Sequence, residues 1–292
     1  MPWRLHLTNQ SLACLDMVAS HIVAAWTQPG HVSYFDAESG ATLAEKQFAD
    51  LSNRTYDHWQ TLLPELKVRD KIYPPVLIAD DANIYLSQSG QLRLYHLDSG
   101  RALLHVGPAE MKFPGTFIQV ALDRSLGLIG ALDAEGCLSL FQQNIPVGQF
   151  NIDIDPDEFA AIAVPDGGKR IYVAHGYTLL EMDIAGKTLQ RRELSYPIGA
   201  FACAPSGQWI ACGDGETNVI RVYDGADLKP HYQGHAADLL LRSRQVQLLA
   251  DPPPSRVALR HVAIANDGTL AFALAGVLCV AKPEDMNAVP HS

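Results

Sequence analysis

The sequence predicts an all-β fold assembled from repeated four-stranded units, and three observations carry that reading. HVSYFDAESGATL at residues 31–43 returns in the same register as QLRLYHLDSGRAL at residues 91–103. In both copies apolar and polar residues alternate, Val32 and Tyr34 in one and Leu92 and Leu94 in the other, a two-residue period that belongs to a half-buried strand. Clusters of Gly, Pro, Asp and Ser punctuate such runs along the whole chain, and Gly40 and Gly100 sit where a tight loop needs a residue able to take positive φ.

Taken in order, residues 3–8 alternate as a strand, and residues 12–18, 22–26, 31–36 and 42–48 follow as four more. A second group runs 76–79, 84–87, 92–95 and 102–106, and a third 117–122, 126–132, 137–141 and 146–150. The fourth group is 159–164, 170–174, 177–182 and 188–193, with Pro165, Asp166, Gly167 and Gly168 forming one turn and Asp183 to Gly186 another. The fifth, 199–204, 209–213, 219–223 and 229–233, is the most regular, and 257–265, 269–273 and 277–281 form a sixth that is one strand short. Measured on the residue ending each third strand (Phe35, Tyr95, Phe141, Met182, Tyr223, Ala281), the spacings are 60, 46, 41, 41 and 58.

A four-stranded unit recurring every ~40 to 45 residues is the mark of a β-propeller blade. The expectation is a single domain over residues 1–292 with six blades, seven being the alternative, in which the strand at residues 3–8 completes the last blade and closes the ring. Closure would remove two sheet edges with their unpaired backbone groups. Residues 202–224, ACAPSGQWIACGDGETNVIRVYD, followed by Gly234 and His235, resemble a WD40 repeat: a Pro-Ser-Gly turn, a polar turn at Asp214, and Val222, Tyr223 and Asp224 at the V-x-x-W-D position, with Tyr in place of its Trp. Residues 169–183, KRIYVAHGYTLLEMD, are similar to the YVTN type of propeller repeat. These resemblances imply a β-propeller that serves as a protein-interaction scaffold.

Composition sets the outer bounds. The 292 residues are 48% hydrophobic and 18% charged, enough to bury a large core. No apolar run approaches the ~18 residues of a membrane span, and the opening MPWRLHLTNQ has no apolar centre of a secretion signal, so cytoplasmic residence is expected. Cys14, Cys137, Cys203, Cys212 and Cys279 are scattered through apolar runs and read as reduced core thiols. A formal charge of −10 opposes nucleic acid or an anionic membrane as partner, because both select clustered Lys and Arg.

The two long spacings each arise from an insertion, residues 49–74 and 236–255, placed between the fourth strand of one unit and the first of the next. Residues 107–115 and 151–158 are shorter extensions at the same kind of junction. All such connections emerge on one face of a propeller, and long loops on a rigid scaffold are where binding concentrates. The candidate partner-binding residues are Tyr56, His58, Trp59 and Tyr73 in the first insertion and Arg242 and Arg244 in the second, near Arg256 and Arg260. Trp59, Leu62, Leu63 and Leu66 carry the spacing of a short apolar helix face.

Catalytic and metal-binding patterns are weak. Asp153, Asp155, Asp157 and Glu158 alternate like oxygen ligands, but an EF-hand loop needs Gly at its sixth and Glu at its twelfth position, where Glu158 and Val164 stand. His175 and His235 read as turn and cap residues, and no nucleophile motif or phosphate-binding glycine loop occurs. The expected function is a non-catalytic scaffold within a multi-protein complex, binding a protein partner, with no cofactor, no metal and no catalytic residue. A propeller hydrolase or lactonase, with its groups at the mouth of the central channel, is the alternative.

Overall fold

The computed structural model describes residues 2–6, 12–18, 21–26, 31–47, 76–79, 83–88, 91–96, 102–106, 117–123, 125–133, 135–142, 145–155, 158–245, 259, 261–274 and 277–289. These residues form antiparallel sheets in a propeller-like arrangement. After β1 (Trp3–His6), one sheet orders β2 (Leu12–Val18), β3 (His21–Trp26), β4 (His31–Asp36) and β5 (Thr42–Gln47). The next orders β6 (Val76–Ala79), β7 (Asn83–Gln88), β8 (Gln91–His96) and β9 (Ala102–Val106). A third comprises β10 (Phe117–Asp123), β11 (Leu128–Asp133), β12 (Cys137–Gln142) and β13 (Ile145–Asn151), and a fourth β14 (Ala160–Ala163), β15 (Arg170–His175), β16 (Thr178–Asp183) and β17 (Thr188–Glu193).

The last two sheets depart from the four-stranded expectation. The fifth, β18 (Ile198–Cys203), β19 (Trp209–Asp214), β20 (Val219–Asp224) and β21 (Pro230–His235), gains an outer fifth strand, β26 (Asn287–Ala288), from beyond the end of the sixth unit. The sixth, β23 (His261–Ile264), β24 (Leu270–Leu274) and β25 (Val277–Ala281), takes β1 as its fourth strand, with Trp3 opposite Val280 and His6 opposite Val277. β22 (Arg244–Gln245) then pairs parallel to β1, pairing Trp3 with Arg244. Both additions give partners to backbone groups on an otherwise bare outer edge. Only two residues of each pair, too few for any sequence period to announce them.

The first strands of successive sheets touch in sequence order, β2 to β6, β6 to β10, β10 to β14, β14 to β18 and β18 to β23, and β23 touches β2. They are chiefly small and aliphatic, as in AAIA of β14 and IGAFAC of β18. Between sheets lie layers of buried side chains: Leu138 and Leu140 of the third sheet meet Ile162, Val173 and Leu180 of the fourth. Burying one Leu or Ile side chain fully is worth about 1.5–3 kcal/mol, so each interface is individually stabilising.

A register shift between third and fourth strands recurs at one place in five sheets. It falls between Tyr34 and Phe35, Leu94 and Tyr95, Leu140 and Phe141, Glu181 and Met182, and Val222 and Tyr223. In each case the second residue is the one whose spacing defines the sequence repeat. Such an irregularity sharpens the twist and turns the outermost strand. On the outer strand of the third sheet, Ile145 and Val147 are 63% and 55% exposed, with Pro146 between them.

The acidic excess is used in turns. Asp36, Asp123, Asp183, Asp224 and Asp267 each accept a backbone N–H from two or three residues further on, the Asx arrangement that substitutes a carboxylate for a missing backbone acceptor. Gly40, expected to need positive φ, has φ +74°. Leu126, expected to start a strand, instead lies 52% exposed in the turn before Gly127, whose φ is +64°. Cys137, Cys203, Cys212 and Cys279 are free thiols. Among the described residues no helix is long and apolar enough to cross a membrane.

Candidate functional site

Antiparallel order places the first-to-second and third-to-fourth turns at one end of the strands, and the second-to-third turns and inter-sheet connections at the other. The two ends are built differently. At the first, short turns are stitched tip to tip. Gly167 N donates to Ser125 Oγ at 3.0 Å, Asp166 N to Pro205 O at 2.6 Å, and Ser206 N to Asn266 Oδ1 at 2.8 Å. A peptide group engaged in this way is not offered to a ligand.

At the opposite end, among the described residues, the connections after the third and fourth sheets are tied to the turns beside them. Ile152 N donates to Gly136 O at 2.8 Å, Ile198 N to Gly176 O at 2.8 Å, and Gly215 N to Pro197 O at 2.9 Å. The turn of the fifth sheet does most. Asp214, 3% exposed, accepts from Glu216 N and Thr217 N on Oδ1 and from the Thr217 hydroxyl on Oδ2. Burial pushes its carboxyl up, but these donors outweigh burial and hold it below the ordinary range. Asn218 then takes the left-handed conformation at φ +59°; its carbonyl accepts from Ala236 N and its side chain from Leu259 N at 2.6 Å. The start of the second insertion and Leu259, shortly beyond it, are thereby fixed to one residue, singled out by its positive φ. Asn is among the few side chains that tolerate that region.

The second insertion is in part a packed element rather than a surface loop. Its beginning is a helix, α1 (Ala236–Arg242), capped by His235, whose Nδ1 accepts from Ala237 N. Asp238 in the first turn and Arg242 in the last suit the helix dipole. A seven-residue helix does not persist alone in water, and this one is held by burial of Ala236, Leu239 and Leu240 in the same core as Ile220, Val277, Cys279 and Met286. The spacing of those three apolar residues was the available signal.

Of the sequence-based candidates, Arg242 is exposed on α1 and its Nη2 donates to Asp285 O at 3.4 Å. Arg244 lies in β22 beside β1. Leu241, between buried Leu240 and Arg242, is 68% exposed. Tyr56, His58, Trp59 and Tyr73, like the rest of residues 49–74 and residues 246–255, lie outside the described residues.

A charged cluster that sequence reading had split into separate parts lies at the same end of the fourth sheet. Burial lowers the His175 imidazole pKa, with Arg191 acting in the same sense, against Glu158, Glu193 and Asp153. Glu193 is held below its ordinary range, first by Arg191 at 2.7 Å and then by Thr178. The Glu158 carboxylate lies against the backbone of Gly176, where a Cβ would displace it. Asp157, one of the calcium candidates, is outside the described residues, and among those described no group of three His, Cys, Asp or Glu side chains is placed to hold a metal.

The position that the WD40 resemblance gives to Trp is filled by Tyr223, 2% exposed, sharing a 2.7 Å hydrogen bond with Tyr196. The Arg221 guanidinium stacks 4.1 Å over the Tyr196 ring. Tyr223 therefore ties the fifth sheet to the connection that precedes it, a polar link inside an apolar layer.

No family model matches this chain, and no curated protein matches it.

Proposed function

We propose that residues 1–292 form one closed, six-bladed WD40-like propeller that works as a non-catalytic, cytoplasmic scaffold, holding a protein partner through the end that bears the inter-sheet connections. The observation that carries this reading is the contrast between the two ends. At one end short first-to-second turns bond to those of neighbouring sheets, while the other carries every long connection, including both insertions. Pairing of β1 with β25 and contact of β23 with β2 support closure. The aliphatic make-up of the first strands, which line the channel in a propeller, supports a non-catalytic role.

Partner contact is assigned to Tyr56, His58, Trp59, Tyr73, Arg242 and Arg244. Removing residues 236–255 outright would remove Leu239 and Leu240 from the core, so the test is made with point changes. Alanine at Tyr56, His58, Trp59 and Tyr73 together is expected to abolish capture of a partner from native lysate by the tagged chain. Capture at the unaltered level would refute the assignment. Turnover of a lactone or carboxylic ester by the purified chain, lost on changing residues at the channel mouth, would replace the scaffold by the hydrolase reading.

A further inference from the structure

Three remote parts of the chain meet at α1. From the N-terminal strand, Arg4 Nη1 donates to Leu240 O at 3.0 Å, the carbonyl that also accepts from the Ser243 hydroxyl at 2.6 Å. From the C-terminal segment, Asp285 O accepts from Arg242 Nη2, and Met286 shares the core of Leu239 and Leu240. Past the helix, Arg244 and Gln245 form β22 against Trp3 and Arg4; past Met286, Asn287 and Ala288 form β26 against Gln233 and Tyr232.

The Cys279 thiol marks the meeting point. Burial pushes its pKa up, and it also feels the Arg4 and Asp285 charges and a hydrogen bond with Ser243, one group from each of the three segments. The fully buried thiol is thus a reporter on all of them.

We propose that residues 236–245 are a latch that makes the two chain ends a single cooperative unit, so that β1 and β26 are released together and α1 and β22 move whenever the last sheet opens. The physical basis is that both ends are short and share one support. β26 contributes two paired residues and β1 four, and both lean on one seven-residue helix that is stable only while packed. The proposal rests on the closed-propeller reading and gives its binding end a second state.

The test is hydrogen exchange and Cys279 alkylation on the full chain, read by peptide mass spectrometry, for wild type, Arg4→Ala and Arg242→Ala. Arg4→Ala alters only the N-terminal tie and Arg242→Ala only the C-terminal one, and neither empties the core. Each is expected to speed exchange at residues 3–6 and at residues 287–289 by a common factor, about three- to tenfold for one hydrogen bond, with Cys279 alkylation rising in step and residues 171–174 unchanged. Acceleration confined to the altered end, or at neither end, overturns the latch while leaving closure standing. Unprotected exchange at residues 3–6 in the wild type overturns both closure and latch.

Discussion

The junction of the third and fourth sheets and that of the fifth and sixth use the same kind of strands but are fastened differently. The former relies on apolar packing among Leu138, Leu140, Ile162, Val173 and Leu180, with a bond between turn tips, and among the described residues its outer strands β13 and β17 gain no further strand. The latter has a helix set into its core and a short extra strand on each outer edge. The difference follows from chain continuity. The third and fourth sheets are each one uninterrupted run, so their strands meet at small loop-closure cost. The sixth must recruit residues 3–6 across nearly the whole chain, an entropic cost that grows with the length of the loop closed. The extra fastening lies where covalent continuity is missing.

The sharpest way to break this comparison is to make the same truncation on both sides. Leu239→Ala and Leu140→Ala should each cost about 2–5 kcal/mol in urea unfolding, since each deletes a buried aliphatic group. Only Leu239→Ala should also loosen residues 3–6 in hydrogen exchange; equal loosening by both would show that the last sheet has no special fastening.

A smaller effect compares the left-handed turn residues. Gly136, at φ +84°, faces Ile152 O so closely that a Cβ has no room, whereas Gly127, at φ +64°, has open space. Gly127→Ala should cost about 1–2 kcal/mol from backbone conformation alone, and Gly136→Ala more, with urea midpoints as the measure. Asn218→Gly, at the equivalent turn of the fifth sheet, should leave the turn intact while freeing the Leu259 amide.

The smallest effect compares carboxylates. Asp214 gathers three donors, whereas Asp133, in the third-sheet turn, accepts from Glu135 N and Cys137 N. Asp214→Asn should cost about 1–2 kcal/mol at neutral pH and exceed Asp133→Asn. Because the folded Asp214 pKa lies below its ordinary 3.8, its stabilisation is complete above that value and disappears as pH falls through the folded pKa. The difference between wild type and Asp214→Asn should therefore shrink only in acid, as followed by urea unfolding across pH.

Much of this was legible in the residues. Period-two alternation and the turn clusters located the strands, and five of the six residues that set the repeat spacing proved to stand at the recurring register shift. What stayed hidden had physical reasons. Two-residue strands such as β22 and β26 are too short to repeat even a two-residue period, and α1 carries only two turns of pattern. Asn218 acts through its backbone conformation rather than its residue type alone. The WD40-like motif pointed to position 223 but could not announce that a Tyr there would bond to Tyr196 from the preceding connection.

Pro146 has a consequence beyond its own strand. Its neighbours Ile145 and Val147 present greasy side chains on a bare edge, the combination by which proteins stick to their own copies. Having no N–H, Pro146 denies an arriving strand one rung of its ladder, and the irregularity beside it bends the edge out of line. The third sheet is thus protected by omission where the fifth and sixth are protected by cover, two different ways of discouraging an edge from pairing with another copy of the chain.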